Sequence, residues 1–138
     1  MRTLLVIDDN KSVRDSLRFL FMRRGYDVLV AESGPEGLAL ADQHLIDGAM
    51  IDVNMPGMNG IEVCRALRER AAARGRDLPV WMMTGARTPD VVKRAAEAGA
   101  LVLLGKPFDF SDLFRRFEER FGLHAAAQLA QPQPQMGA

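Results

Sequence analysis

The chain has 138 residues, the usual size of one domain, and can bury a core without the help of a disulfide or a structural metal. Its 18 lysines and arginines balance its 18 aspartates and glutamates, so no overall field attracts it to nucleic acid or to a membrane surface. A single cysteine excludes an internal disulfide and fits a reducing compartment, and no apolar run reaches the ~20 residues of a membrane span, so we expect a cytoplasmic protein.

The first predicted strand is the run TLLVID (3–8), whose consecutive aliphatic residues are typical of a strand buried on both faces of a parallel sheet. The segment after it predicts a helix that Gly25 can end. Its apolar positions recur at helical spacing, and they are Val13, Leu17, Leu20 and Phe21. The run YDVLVA (26–31) predicts a second strand, and its polar start favours an edge of the sheet.

Two more strand–helix pairs occupy the middle of the chain. Ser33 can cap the second helix, and the run GAMIDV (48–53) is almost wholly apolar, which favours a central third strand. Asn59 can cap the third helix. Its apolar positions are Ile61, Cys64 and Leu67. The run PVWMMT (79–84) predicts the fourth strand.

The last predicted pair is a fifth strand and a strongly amphipathic helix. Thr88 can cap the fourth helix and Gly99 can end it, before the fifth strand ALVLL (100–104). Ser111 is the predicted cap of the fifth helix. The apolar stripe of that helix consists of Phe110, Leu113, Phe114, Phe117 and Phe121.

Strict alternation of five strands with five helices predicts an α/β fold, a doubly wound parallel sheet with right-handed crossovers. The composition changes after residue 124 to AAAQLAQPQPQMGA, which has no charged side chain and two prolines. We therefore expect one domain over residues 1–124 and a disordered tail over residues 125–138.

Polar side chains lie at the carboxyl ends of four of the five predicted strands, and in such a sheet these ends meet along one rim, where ligands bind. In chain order they are Asp8, Asp9, Asp52, Asn54, Thr84 and Lys106. Three acids, an amide, a hydroxyl and an ammonium are therefore expected at one place, although they are scattered along the sequence.

Three carboxylates at one rim require a cation or a proton, because two of them ~4–5 Å apart repel by roughly a few kcal/mol at an effective dielectric constant near 20. Lys106 supplies one positive charge and a divalent ion would supply two. Oxygen ligands favour a hard ion, and few protein oxygens with open positions for phosphate oxygens favour Mg²⁺ over Ca²⁺. A carboxylate such as Asp52 can attack phosphorus to form an acyl phosphate.

The motifs VIDDN, IDVNMPGMNG, MMTG and GKPF, in this order and spacing, resemble the receiver domain of bacterial two-component response regulators. The resemblance covers residues 3 to about 121 and includes the stand-alone chemotaxis regulators, although a phosphorelay shuttle and a receiver from a longer regulator are equally compatible with the residues. It implies a flavodoxin-like sheet with strand order 2-1-3-4-5.

The resemblance also implies a role for each residue of the rim. Asp52 would be the phosphoacceptor, Lys106 would contact the phosphoryl group, and Thr84 would move to hydrogen-bond it. The metal ligands would be Asp8, Asp9, Asp52 and the backbone carbonyl of Asn54. A cis peptide bond before Pro107 is expected from the family.

Leu103 departs from the family pattern, because an aromatic residue usually occupies this position and moves inward together with the threonine. Leu103 and Thr84 are therefore the candidate switch residues, with a weaker coupling between them expected. Gly105, directly before Lys106, is a second departure.

The function that the resemblance implies is a Mg²⁺-dependent, phosphorylation-switched interaction module without an output domain in this chain. It would not be an enzyme beyond its own phosphorylation and dephosphorylation. Its phosphodonor would be a sensor histidine kinase or a phosphotransfer protein, and its downstream target an unidentified protein. No nucleic acid or membrane partner is expected, and the protein would be a monomer or a weak homodimer.

Two other functions use related residues. A phosphohydrolase of the haloacid dehalogenase class also combines Asp, Thr, Lys and Mg²⁺, but its two aspartates are separated by one residue, whereas Asp8 and Asp9 are adjacent. A flavodoxin-like redox carrier would need a hydroxyl- and glycine-rich loop after the first strand, and DDNKSV is the electrostatic opposite. Both alternatives remain open on the residues alone.

Overall fold

Five parallel strands and five helices alternate along residues 1–122, the part of the chain that the computed structural model describes. The strands are β1 (Thr3–Ile7), β2 (Asp27–Ala31), β3 (Gly48–Asp52), β4 (Val80–Thr84) and β5 (Val102–Gly105). The helices are α1 (Lys11–Arg23), α2 (Gly34–Gln43), α3 (Gly60–Ala73), α4 (Pro89–Glu97) and α5 (Phe110–Phe121). The predicted tail over residues 125–138 lies outside the described residues.

The sheet has the strand order β2-β1-β3-β4-β5, so the predicted α/β fold and strand order are confirmed. As predicted, β2 is an edge strand and β1 and β3 are interior strands. The register pairs Ile7 with Ile51, which brings the residues that follow them, Asp8 and Asp52, side by side. The strand order thus brings together two acids that the sequence pattern could only assign to the same rim of the sheet.

Local sequence signals set most helix ends. The side chains of Ser33, Asn59 and Thr88 accept hydrogen bonds from the first turns of α2, α3 and α4, as predicted. The predicted cap Ser111 is wrong, because the carboxylate of Asp109 accepts the Ser111 N–H at 2.9 Å and is the N-cap of α5. The predicted fifth strand also begins too early, since β5 starts at Val102.

Two apolar layers cover the sheet. One lies beneath α2, α3 and α4 and includes Cys64, and the other joins α1 and α5 around Phe21, Phe117 and Trp81. The Trp81 indole stacks on the Phe117 ring at 3.9 Å between centroids. None of the helices in residues 1–122 has the length and apolar character that a membrane span requires.

Candidate functional site

Three carboxylates meet at the carboxyl ends of β1 and β3. Asp8, Asp9 and Asp52 each offer one oxygen atom, and these atoms all lie within 4.8 Å of one another. Asp8 is fully buried and Asp52 is 5% exposed, whereas Asp9 is open to solvent. The three acids that the sequence predicted at one rim therefore do form a cluster.

Asp8 is held by contacts on its backbone and on both carboxylate oxygens. Its N–H donates to the carbonyl of Ala31 at 3.1 Å, and its own carbonyl accepts from Arg14 Nη1 at 2.9 Å. Asp8 Oδ1 accepts the backbone N–H of Asn10, and Oδ2 accepts from Lys106 Nζ, both at 2.9 Å. A buried carboxylate needs such partners, because an unpaired one costs several kcal/mol.

Lys106, the residue that follows β5, also belongs to the cluster. Its Nζ lies 2.9 Å from Asp8 Oδ2 and 3.5 Å from Asp52 Oδ1. The backbone N–H of Lys106 donates to the carbonyl of Thr84 at 2.7 Å, which ties the start of this loop to the end of β4. The peptide bond between Lys106 and Pro107 is cis. Lys106 thus lies between the two buried acids.

The electrostatics of the cluster are uneven. Burial and the charge of Asp8 raise the pKa of Asp52 above its ordinary value, although the Lys106 ammonium acts in the opposite direction. Burial by itself lowers the pKa of Lys106, but its hydrogen bond to Asp8 and the charge of Asp52 outweigh this effect and the pKa is raised. One ammonium therefore faces three carboxyl groups, so the charges within this cluster do not balance.

Thr84 and Asn54 form the second part of the site. The Thr84 hydroxyl is buried at the end of β4, donates to the carbonyl of Ala86 at 3.2 Å and accepts the Ala86 N–H at 3.2 Å. It also accepts from Asn54 Nδ2 at 3.4 Å. The structure therefore places Thr84 beside Asn54, and the role predicted for Asn54 through its backbone carbonyl does not use this side-chain contact.

Leu103 lies outside the cluster. Its half-buried side chain packs against the apolar layer beneath α4, and its carbonyl accepts from Arg87 Nε at 3.2 Å. Leu103 is therefore joined, through its carbonyl and Arg87, to the loop between Thr84 and α4, and its role as a switch residue stays a prediction.

Two residues that support the site are not singled out by the sequence pattern. Arg14 binds the Asp8 carbonyl, and Gly60 begins α3 directly against the end of β3. A Cβ atom on Gly60 would lie 2.0 Å from the Asp52 carbonyl oxygen. A glycine as the first residue after the Asn59 cap is the signal that the sequence offers for this close approach, whereas Arg14 has no such signal.

Comparison with known proteins identifies relatives of this arrangement. The sequence model described as response regulator receiver domain matches residues 4–118. Response regulator MprA from Mycobacterium sp. (strain KMS) is 38% identical over 113 residues, which cover 82% of this chain and 47% of the relative. The chain spans about half the length of the curated relatives it matches.

Solved structures show the same fold. Chemotaxis protein CheY4 of Vibrio cholerae matches with a TM-score of 0.79 and 31% identity, covering 86% of this chain and 98% of that one. Response regulator TrrA of Thermotoga maritima, solved in complex with Mg²⁺ and BeF, matches with a TM-score of 0.74 and 25% identity, covering 86% and 98%.

Proposed function

Because this chain belongs to the response regulator receiver domain family, we propose that it is a signalling module switched by phosphorylation of Asp52. The observation that carries the proposal is the buried Asp52 carboxylate between two further acids and the Lys106 ammonium. Its direct test is the appearance of one phosphoryl group on Asp52 after incubation with a small phosphodonor and Mg²⁺.

The donor set of the cluster fits a magnesium ion. Its oxygens belong to carboxylates within 4.8 Å of one another, and one of them, on Asp9, is open to solvent. Burial and the charge of Asp8 together raise the pKa of Asp52, and a bound cation would offset the second of these two causes. The residues that would hold the ion are Asp8, Asp9, Asp52 and the backbone carbonyl of Asn54. When bound, Mg²⁺ supplies positive charge that offsets the acids and the oxygens of an incoming phosphoryl group.

Asp52 has the chemistry for covalent transfer. One of its carboxylate oxygens forms a bond to phosphorus while the bond from phosphorus to the donor's leaving group breaks, which gives an acyl phosphate. Lys106 then pairs with the new phosphoryl oxygens, and the Thr84 hydroxyl leaves Ala86 to hydrogen-bond one of them. Attack of water on phosphorus breaks the bond to the Asp52 oxygen, which releases inorganic phosphate and restores the carboxylate. No other turnover substrate is proposed.

The proposed partners follow from this chemistry. The donor would be a sensor histidine kinase or a phosphotransfer protein, and a downstream protein would bind the surface that moves with Thr84. A phosphohydrolase of the haloacid dehalogenase class is not favoured, because Asp8 and Asp9 are adjacent and the residue two positions after Asp52 is an exposed asparagine rather than an acid. A flavodoxin-like redox carrier is not favoured either, because acids follow β1 where such a carrier needs a hydroxyl- and glycine-rich phosphate loop.

Mg²⁺ is expected to raise the thermal stability of the unphosphorylated protein, because it relieves repulsion among the three carboxylates. At a free Mg²⁺ concentration of about ten times the Kd, binding adds roughly 1.4 kcal/mol to the free energy of unfolding. Melting curves recorded in magnesium chloride and in EDTA measure the shift. The matched control is Asp9→Asn, which removes the solvent-exposed ligand. No shift in the wild type, or an equal shift in this variant, would contradict the metal site.

Leu103 is expected to limit how far the phosphorylated state spreads. A leucine fills only part of the space that Thr84 leaves and has no hydroxyl for an outward hydrogen bond, so the loop after Thr84 and α4 should change while β5 and α5 change little. Amide NMR shifts with and without beryllofluoride, a phosphoryl mimic, should therefore be large over residues 84–97 and small over residues 100–104 and 111–121.

The variant Leu103→Tyr is expected to extend the changes in amide NMR shift into β5 and α5. Its ring can fill the space that Thr84 vacates, and its hydroxyl can form an outward hydrogen bond. Leu103→Met, which keeps a similar volume without a ring, is the control and should behave as the wild type does. Large changes over residues 100–104 and 111–121 in the wild type would mean that leucine suffices, and the hypothesis should then be abandoned.

A further inference from the structure

Arg14 is an unusually enclosed arginine on the first turns of α1. Its side chain is only 12% exposed, and its Nη1 donates to the carbonyl of Asp8 at 2.9 Å. Its Nη2 lies 3.7 Å from a carboxylate oxygen of Glu32, the residue that follows β2. One guanidinium therefore links the ends of β1 and β2 to α1. A surface charge that served only solubility would need no such enclosure.

The carbonyl that Arg14 binds belongs to the peptide unit between Asp8 and Asp9. A peptide unit is planar, so fixing the direction of its C=O also fixes the direction in which the chain continues to the next Cα atom. The hydrogen bond from Arg14 to the Asp8 carbonyl thus restrains the position of the Asp9 Cα atom. Asp9 is the exposed member of the acid cluster, and burial restrains it less than it restrains Asp8 or Asp52.

We infer that Arg14 is a positioning residue of the acid cluster, which holds the Asp8–Asp9 peptide so that the Asp9 carboxylate faces Asp52. The Glu32 carboxylate, 3.7 Å from Nη2 and 71% exposed, adds a weak ion pair, and the enclosure of the Arg14 side chain leaves its guanidinium little freedom. This inference rests on the proposed function, because the arrangement that Arg14 maintains is the one that would hold Mg²⁺.

Simple electrostatics predicts the opposite effect for loss of Arg14. Removing a positive charge near three carboxylates should strengthen their attraction for Mg²⁺. A weaker affinity for Mg²⁺ after the loss of Arg14 would therefore indicate that Arg14 acts on the position of the ligands rather than through its charge. Groups that orient metal ligands typically change metal affinity 10–100-fold when they are removed. We expect an effect near the lower end of this range, because Arg14 acts through the backbone of one ligand.

The test is the Kd of the folded protein for Mg²⁺ alone, measured by isothermal titration calorimetry at neutral pH. Arg14→Met keeps the apolar stem and loses the guanidinium, and we expect its Kd to be about tenfold higher than that of the wild type. Arg18→Ala is the matched control, because it removes the same charge from an exposed position of the same helix. Its Kd should equal that of the wild type or fall slightly below it.

Arg14→Lys separates charge from hydrogen-bond geometry, since its single ammonium cannot span both Asp8 and Glu32. Its Kd should lie between the values of the wild type and of Arg14→Met, and it decides the question if Arg14→Met does not fold. A purely structural role would lower the free energy of unfolding in EDTA without changing the Kd of the folded protein.

If every Arg14 variant that folds has the same Kd for Mg²⁺ as the wild type, the inference is overturned and the proposed function is left intact. A wild-type protein that binds no Mg²⁺ at all would overturn the proposed function and the inference together. The two failures are therefore distinguishable in one set of titrations.

Discussion

Incubation with acetyl phosphate and Mg²⁺ is expected to add one phosphoryl group to the wild-type protein and none to Asp52→Asn. The amide of the variant keeps the shape of Asp52 but lacks a nucleophilic carboxylate oxygen. It also removes a negative charge from a buried acid cluster, so the variant should fold at least as well as the wild type. Intact-protein mass spectrometry measures the added mass.

The linkage and the location of the adduct are both testable. An acyl phosphate is cleaved by hydroxylamine, whereas a phosphoserine or phosphothreonine is not. Asp15→Asn is the matched control, because Asp15 is an exposed carboxylate that pairs with Lys11 on the surface of α1. This variant should be modified as fully as the wild type. If Asp52→Asn gained the same hydroxylamine-labile adduct, Asp52 would not be the phosphoacceptor.

Gly60→Ala is expected to lower the free energy of unfolding by about 3 kcal/mol, at the upper end of the cost of overpacking. The added Cβ would lie 2.0 Å from the Asp52 carbonyl oxygen and 2.9 Å from Val53 Cα. Both are backbone atoms, so no side chain can turn aside and either α3 or the end of β3 must shift. Urea unfolding curves in EDTA measure the difference.

The same shift should slow phosphorylation, because the displaced end of β3 carries Asp52. Gly85→Ala is the matched control for stability alone, because Gly85 adjoins Thr84. Apart from its chain neighbours, no heavy atom lies within 4 Å of a Cβ built there, and its backbone is not in the left-handed region. Its free energy of unfolding should remain within about 0.5 kcal/mol of the wild-type value. Equal stabilities for Gly60→Ala and Gly85→Ala would show that the contact between α3 and β3 relaxes without cost.

The strand pattern of the sequence determined the fold class and the general location of the site. Aliphatic runs at regular spacing predicted a parallel sheet, and in such a sheet every strand delivers its last residues to the same rim. Asp8, Asp52 and Thr84 could therefore be grouped without knowledge of any side-chain contact. The strand order itself came from the resemblance to receiver domains, because alternation of strands and helices is compatible with several orders.

Neighbouring residues in the sequence predict most of the helix ends, but not the start of α5. The caps Ser33, Asn59 and Thr88 follow from their own sequence neighbourhood, since a cap bonds to residues two or three positions away. Asp109 and Ser111 are both suitable cap residues for α5, and the sequence pattern does not distinguish between them, whereas in the structure Asp109 is the cap. Local preference therefore selected a helix but not its first residue.

Only the tertiary structure decided how the residues of the rim are connected. The bond from Lys106 to Asp8 joins residues 98 positions apart, and the contact of Asn54 with Thr84 joins residues 30 apart. The close approach of β3 to Gly60 and the enclosure of Arg14 likewise depend on which atoms of other elements lie near them. Such contacts leave no periodic or local pattern in the sequence, because packing and burial, rather than backbone preference, determine which distant groups meet and how strongly their charges interact.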